Sequence, residues 1–357
     1  MDIRIEPLDT LFFRDGKPFT MGQESWADSY LLPPPSVVYG AMRTAIAIGN
    51  AIPFPDVPTK LDAKTFRIIS LHYKVSAKTV LPLPLDLVES DKAMYIQELE
   101  EEEKEYEVKP LILVKRSNTI TKSEKKAKYH LLAEGWGQVE NLDNGFIIAT
   151  ELEKYLNGYL PTTKALKLRD FVPNEPKVGN GRDDLTHSVE ESLLYRTDMK
   201  RSDGLQIGVG FDLDGYKEIG SLVRLGGEGK LAHLSANRTP FRAVNQSVAF
   251  KQNRFKIYFS TPAILKTGEP DLSGLGIRAE LVAACVGKPV HIGGFDMAQG
   301  RPKPMYKAVP AGSVFYYESK SEVNSLNQHQ GISLSDFKKE EGFGIAYFGT
   351  WDIASNG

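Results

Sequence analysis

An alternating strand pattern near the amino terminus returns after residue 250, and this return limits the folds open to the chain. The stretch DIRIEPLDTLFF alternates Ile3, Ile5 and Leu8 with polar residues, as a half-buried strand does. RFKIYFSTPAIL, which starts at Arg254, repeats the order of alternating strand, proline and apolar residues. Since 357 residues also exceed the usual size of one hydrophobic core, the sequence predicts two copies of one unit, dividing near residue 248.

The predicted elements of each copy follow the order strand, helix, strand, strand, helix, strand, which is ferredoxin-like. LPPPSVVYGAMRTAIAIGN predicts the first helix, with Ser36 as its N-cap. The predicted apolar face of this helix consists of Val37, Ala41, Thr44, Ala45 and Ile48. In the second copy, GIRAELVAACVG predicts a helix. We therefore predict an α+β protein of two ferredoxin-like (RRM-like) units with insertions, residues 1–248 and 249–357.

Two segments interrupt the first unit. Residues 89–128 join an acidic run, QELEEEEKEYE, to a basic one, KRSNTITKSEKKAKYH. Charge blocks of this kind usually form a solvated insertion, and an RNA contact for the lysine run is the alternative. Residues 173–192 contain the sequence GNG at 179–181, which predicts a flexible loop.

Composition excludes several classes of protein. The formal net charge is −2, so the chain is not a globally basic nucleic-acid binder, and any such binding needs a local patch. The single cysteine, Cys285, excludes an intramolecular disulfide and a cysteine-rich zinc site, and it fits a small buried residue in LVAACV. With no membrane-length apolar run and no signal-peptide pattern in MDIRIEPLDT, the sequence predicts a cytoplasmic protein.

Familiar catalytic motifs are missing from the sequence. Gly229 and Lys230 lack the other residues of a P-loop, and Gly208 and Gly210 lack the third glycine of a dinucleotide fingerprint. The six histidines show no metal-ligand spacing, and no G-x-S-x-G stretch occurs. We predict no catalytic residues, no metal and no cofactor, while an active site assembled from distant residues remains the alternative.

Glycine-rich turns beside basic residues are the chemistry that the sequence does contain. Four stretches share the pattern: VGNGRD, LGGEGK, IGGFDMAQGRPKP and EGFGIAYFG. Glycine lets backbone N–H groups approach an anion, and neighbouring arginine and lysine suit the phosphates of a nucleic acid. Aromatic residues near these segments, such as Tyr306, could stack on unpaired bases. The alternatives are that the glycines form hairpin bends and that the aromatics belong to the core.

Taken in order, these stretches resemble a known family. The segments IEPLDTLFFRDGKPF, LPPPSVVYGAMRTAI, EPKVGNGRDDLTHSVEESLLY, LGGEGK, IGGFDMAQGRPKPMYKAVPAGSVFYYE and GFGIAYFGTW are similar, across nearly the whole chain, to the third subunit of the Cmr complex, the type III-B CRISPR effector. Asn180 departs from the family's more usual apolar residue, which leaves the role of that loop open. The insertion at 89–128 is variable in the family, and nothing is transferred to it.

The resemblance implies a RAMP-superfamily fold and a non-catalytic subunit. Such a subunit would bind the large polymerase-like subunit on one side, and a backbone RAMP subunit with the 5′ tag of the crRNA on another. Two alternatives stay open. One is a crRNA-processing endoribonuclease that uses His291 or His187 with Lys230, and the other is a purely structural bridging subunit.

We predict RNA contacts along the chain from the basic and glycine-rich positions. Arg14 and Lys17 follow the first strand, and Arg43 lies in the first helix, where a surface salt bridge is the alternative. The other predicted positions before residue 290 are Arg182, Lys200, Arg201, Lys230, Arg238 and Arg242. The strongest predicted cluster consists of His291, Gly293, Gly294, Arg301, Lys303 and Lys307.

Overall fold

A computed structural model describes most of the chain. The described residues are 1–14, 26–27, 29–90, 105–115, 128–133, 138–159, 161–182, 189–202, 204–237, 241–296 and 300–353. Most of the predicted charged insertion, at 91–104 and 116–127, lies outside them, as do residues 15–25 and 183–188. Within the described residues, the helices are too short or too polar to cross a membrane.

One large antiparallel sheet organises the first 236 residues. Among the described residues it has eleven strands. In spatial order they are β15 (Leu222–Arg224), β16 (Leu231–Ala236), β1 (Asp2–Pro7), β14 (Gln206–Leu213), β3 (Phe66–Val75), β4 (Lys78–Pro82), β10 (Gly145–Ile148), β11 (Thr163–Lys167), β6 (Glu105–Pro110), β5 (Leu87–Ser90) and β9 (Val139–Asn141).

Two smaller β-structures project from this half. One is a sheet of β12 (Asn174–Arg182), β13 (Val189–Lys200) and β2 (Trp26–Ala27), in which β2 runs parallel to β13. The other is a hairpin of β7 (Ile112–Lys115) and β8 (Tyr129–Leu132). Where the sequence predicts a flexible loop over 173–192, the structure has the two arms of the β12–β13 hairpin, because backbone pairing satisfies both segments.

The second half contains a sheet of five strands among its described residues. In spatial order these are β18 (Ala279–Cys285), β23 (Val314–Ser319), β17 (Arg254–Phe259), β25 (Ile345–Thr350) and β24 (Ile332–Ser333). Four short strands form a bent ribbon that leaves this sheet: β19 (Val290–Ile292), β20 (Phe295–Asp296), β21 (Arg301–Pro302) and β22 (Tyr306–Ala308).

Three α-helices occur among the described residues: α1 (Pro35–Gly49), α2 (Val57–Lys60) and α3 (Ala149–Leu156). Short 3₁₀ turns lie at Phe54–Asp56, Leu168–Asp170, Ser273–Leu275, Asn324–His329 and Lys339–Glu341. The prediction of α1 is confirmed, but the prediction of Ser36 as N-cap is wrong. Pro34 holds that position, and Pro35 starts the helix because its fixed φ and missing N–H suit the first turn.

The predicted apolar face of α1 is only partly correct. Ala41 and Ala45 are buried, but Ile48 is 57% exposed. Val38, Met42 and Ile46 are fully buried instead, so the helix is rotated by about one residue from the predicted face.

The helix predicted for GIRAELVAACVG is wrong, because residues 279–285 form the strand β18. This strand pairs with β23, and a bulge between Leu281 and Ala283 interrupts the pairing. Leucine, alanine and glutamate favour helix locally, but pairing with a neighbouring strand overrides that weak preference. In the second half, the described residues between β17 and β25 contain no α-helix. Within the described residues, the second half therefore lacks the helix that the sequence predicts there.

The two sheets share one hydrophobic core. Helix α1 and one face of the second sheet pack on the same side of the large sheet, where Tyr258, Tyr347 and Trp351 join the core around Tyr73 and Phe66. The opposite face of the second sheet has a separate core around Phe255, Phe259 and Phe348. The first core crosses the predicted division near residue 248, so the two halves are held together by burial of apolar side chains.

A buried polar cluster lies where the halves meet. Asp86, which is 1% exposed, accepts hydrogen bonds from the hydroxyls of Tyr155 on α3 and Tyr316 on β23. The ammonium of buried Lys256 on β17 lies 3.2 Å from the centroid of the Tyr155 ring. Burial lowers the pKa of Lys256 to about 8, and the charge of Asp86 opposes that shift. Asp86 and Tyr155 belong to the first half, and Tyr316 and Lys256 belong to the second. The cluster is therefore complete only when the two halves are packed together.

The segment that joins the halves is tied to both of them. The Phe241 ring stacks on His72 of β3 with centroids 4.0 Å apart. The backbone N–H groups of Asn245 and Gln246 donate to Glu153 Oε1 of α3 at 2.7 and 2.9 Å. Val248 then exchanges two hydrogen bonds with the Asn327 side chain, at 2.8 and 3.1 Å.

Replacement of Asp86 is expected to weaken the joint between the halves. Asp86→Ala leaves two buried tyrosine hydroxyls without their acceptor and removes the anion near Lys256, so we expect a loss of about 3–5 kcal/mol of unfolding free energy. Chemical denaturation measures it. Asp143→Ala, at an exposed carboxylate paired with Arg169, is the control and should change little. Equal stability of the two variants would contradict the role of Asp86.

His72 gives the fold a defined sensitivity to acid. It is 1% exposed, and burial lowers its pKa from 6.5 to about 3. The unfolded chain therefore takes up a proton below about pH 6.5 while folded His72 stays neutral, so stability falls as pH decreases through that range. Relative to His72→Phe, the parent chain should lose about 2 kcal/mol between pH 7 and pH 5. Parallel pH dependences in urea titrations would contradict this.

Candidate nucleic-acid interface

The ribbon formed by residues 290–308 presents one apolar and one polar face. β19 pairs with β22 so that Val290 faces Ala308, His291 faces Lys307 and Ile292 faces Tyr306. Ile292 and Ala308 are buried against Ile264 and Phe343 of the second half. Because side chains alternate along a strand, His291 and Lys307 point away from this core, and both are exposed.

The two adjacent glycines bend the ribbon. A Cβ added at Gly293 would lie 2.9 Å from the Met305 methyl carbon, so glycine leaves space for that side chain. Gly294 has φ +146°, a backbone conformation that other residues rarely adopt, and its carbonyl accepts a hydrogen bond from the Lys303 N–H at 2.9 Å. Beyond the bend, β20 and β21 pair so that Asp296 faces Arg301.

The exposed face of this ribbon carries basic groups without intramolecular partners. The side chains of His291, Lys303 and Lys307 are exposed, and no hydrogen bond or ion pair is formed by them within the described part of the chain. Lys288, four residues before Ile292, is also exposed and unpaired within the described residues. The sequence analysis did not predict it, although it lies close to the predicted basic cluster. Lys307 supplies a positive charge, and the His291 imidazole opposite it can donate a hydrogen bond, so this pair suits a bound anion.

Carboxylates neutralise three other predicted cations, two at the base of the β12–β13 hairpin and one in the turn between β15 and β16. Lys200 is 6% exposed and donates to Asn174 Oδ1 at 2.6 Å and to Asp198. The Arg201 Nε donates to Glu175 Oε2 at 2.6 Å. Lys230 pairs with Asp9, and its ammonium holds the pKa of that carboxyl below the usual value. These three cations are occupied within the chain.

The other predicted positions are dispersed. The Arg43 guanidinium donates to the Val57 carbonyl at 2.8 Å and lies over the Tyr39 ring, so it packs α1 against the following turn and makes no surface salt bridge. Exposed Arg242 lies in the segment joining the halves, and exposed Arg14 forms a backbone bridge with Ser29. Lys17, Arg238 and the side chain of Arg182 lie outside the described residues.

Gly226 of LGGEGK and Gly349 of EGFGIAYFG are explained by packing within the chain. Gly226 has φ +80°, and a Cβ there would lie 2.5 Å from the Phe12 carbonyl oxygen. Gly349 leaves no space for a Cβ because the backbone of Leu156 on α3 would lie 2.7 Å away. The hairpin-bend interpretation of Gly226 therefore agrees with the structure, and the phosphate interpretation keeps its best support at the ribbon.

The described residues also lack an obvious catalytic cluster. No group of three or more histidine, cysteine, aspartate or glutamate side chains in that part of the chain could hold a metal ion. The partners proposed for a ribonuclease are separated: His291 lies opposite Lys307 on the ribbon, Lys230 pairs with Asp9 in the first half, and His187 lies outside the described residues.

Comparison with solved structures shows which known folds this chain resembles. A chain of "Cryo-EM structure of the Type III-B Cmr-beta bound to cognate target RNA and AMPPnP, state 1" matches with a TM-score of 0.51 at 17% identity, covering 88% of this chain and 86% of that one. A second structure, "Cryo-EM structure of the Type III-B Cmr-beta bound to cognate target RNA", gives 0.49 at 17% identity over 88% and 86%. The fold is mixed α/β, rich in antiparallel strands and similar to that of the first of these chains.

The family is established by the sequence itself. The family model described as "CRISPR-associated protein (Cas_Cmr3)" matches residues 3–351, nearly the whole chain. The chain belongs to this Cas_Cmr3 family, which confirms the resemblance drawn from the ordered segments. No curated protein matches the chain significantly.

Lysine-to-methionine replacements should separate structural cations from available ones. Lys200→Met removes one partner of a buried pair and leaves Asp198 uncompensated, so we expect a loss of about 2 kcal/mol or more in unfolding free energy. Lys307→Met changes an exposed, unpaired side chain and should leave stability within about 0.5 kcal/mol. Thermal and chemical unfolding of both variants measure the difference. Similar losses in both would contradict the division between the two groups.

Proposed function

We propose that this chain is a non-catalytic subunit of a type III-B CRISPR complex and that residues 288–307 contact the 5′ tag of the crRNA. One observation carries the proposal: the ribbon side chains of His291, Lys303 and Lys307 are exposed and unpaired within the described residues, whereas Lys200, Arg201 and Lys230 are neutralised within the chain. Unpaired cations on a ribbon suit phosphates, which fix the position of an RNA strand. Family membership supports the setting.

We further propose the partners and organisation that the family resemblance implies. The chain would join the large polymerase-like subunit to the backbone RAMP subunits, in the cytoplasm. The likeness to a chain of a Cmr-beta structure bound to target RNA supports such an assembly role. Two RAMP-type units dividing near residue 248 remain our proposal for the organisation, supported by the separate sheets on either side of that residue.

Charge reversal on the ribbon tests the RNA contact. We expect the triple variant His291→Glu, Lys303→Glu and Lys307→Glu to bind tagged crRNA at least tenfold more weakly than the parent chain, with a shallower dependence on salt, because phosphate contacts release counterions. Fluorescence anisotropy across a salt series measures both quantities. The matched control reverses three exposed lysines elsewhere, Lys64, Lys217 and Lys320, and should lose much less.

The remaining candidate functions predict other results. Equal loss in the two triple variants would contradict a specific contact at the ribbon. Assembly of the complex with no RNA crosslink to this chain would favour a purely structural subunit. Cleavage of repeat RNA by the isolated chain, lost on His291→Ala, would favour the endoribonuclease.

A further inference from the structure

An apolar cleft lies beside the start of the basic ribbon, next to the residue pair Val290–Ala308. Its volume is 310 Å³, and its walls include Leu32, Leu83, Leu85, Phe146, Val290 and Pro310. Tyr30 also lines it, and the Tyr30 hydroxyl donates to the carbonyl of His291 at 3.0 Å. The cleft therefore lies between the two halves, with one wall formed by the start of the ribbon.

Two amide side chains at this cleft have no partner within the described part of the chain. Asn141, at the end of β9, is exposed, and Asn144 follows it in the turn before β10. Asn144 has φ +53°, a conformation that asparagine tolerates better than most residues. Each amide offers one acceptor and two donor hydrogens, which matches the mixed donor and acceptor edge of a nucleobase.

We propose that this cleft receives one unpaired nucleobase of the RNA strand that lies on the ribbon. The inference rests on the proposed function, because the strand's phosphates would be held by His291, Lys303 and Lys307. The volume is at the lower end of the roughly 300–1,000 Å³ typical of small-molecule sites, so it suits one flat ring. The apolar walls cover the faces of the base, and Asn141 and Asn144 bond its polar edge.

Charge and polarity favour a base over an apolar protein side chain. A leucine or phenylalanine from a partner would fill the walls but would leave both amides facing an apolar group, which costs free energy. A base satisfies the amides, and the cationic ribbon next to the cleft accounts for the attached phosphate.

Abasic scanning tests the inference. The full-length chain is titrated by anisotropy with a labelled crRNA carrying its 5′ tag, and with RNAs in which each tag nucleotide in turn is abasic. We expect the abasic change to weaken binding about tenfold at one position and little elsewhere, since stacking of a single base contributes on that scale. Ala311→Phe, which fills the cleft from a half-buried turn, should weaken the intact RNA and remove the abasic effect.

Two further variants keep the result interpretable. Ala63→Phe, at an exposed alanine outside the cleft, is the matched control and should preserve the abasic effect. Asn141→Leu changes an exposed residue, so it should fold, and it should abolish preference among the four bases at the sensitive position. A uniform abasic scan with normal binding overturns the base site and leaves the proposed function intact. Failure of every RNA to bind overturns both.

A partner side chain in the cleft would give another pattern. Ala311→Phe would then block assembly with protein subunits while leaving the abasic scan unchanged, and this outcome also overturns the inference.

Discussion

The buried carboxylate of Asp86 is the interaction on which the arrangement of the two halves depends. It comes from the first half, but one of its hydroxyl donors, Tyr316, belongs to the second. Burial of a carboxylate costs free energy unless its oxygens accept hydrogen bonds. Asp86 accepts both of its hydrogen bonds only when the two sheets are packed in this arrangement. The apolar core drives the halves together, and the polar cluster selects one relative position.

That fixed arrangement determines what each face of the ribbon can do. Its apolar face is buried against Ile264 and Phe343, so the basic face is the one that a ligand can reach. The predicted cations likewise divide into those that pair with a carboxylate of this chain and those that are exposed and unpaired. Charge alone does not make a binding residue, because an arginine or lysine beside a carboxylate of its own chain has already exchanged water for that partner.

Local patterns were sufficient to predict several elements. The alternation in DIRIEPLDTLFF and in RFKIYFSTPAIL predicted β1 and β17, because the strand period is encoded in neighbouring residues. Lys303 and Lys307 were predicted as RNA contacts because they follow Gly293 and Gly294 in the sequence, and that role stays a prediction. By contrast, β18 was predicted as a helix because its strand character comes from pairing with β23, whose paired residues lie 29 to 40 positions further along.

Ion pairs and buried polar contacts between residues far apart in the sequence could not be predicted. Lys230 and Asp9 are 221 positions apart, so their pairing depends on the completed sheet. The Asp86 cluster did leave a trace, since Asp86 is the only charged residue in TVLPLPLDLV and Lys256 lies among aromatic residues in RFKIYF. A lone charge inside an apolar stretch indicates a buried partner elsewhere, but it does not identify which one.

The segment that joins the halves, residues 241–248, holds them at a fixed separation. Because Phe241, Asn245, Gln246 and Val248 are tied to both halves, this segment is not a loose tether. The ribbon and the cleft are also held together directly, since Val290 of the ribbon lines the cleft and Tyr30 bonds to the His291 carbonyl. An RNA strand bound to the ribbon would therefore present one nucleotide at a constant position relative to the cleft.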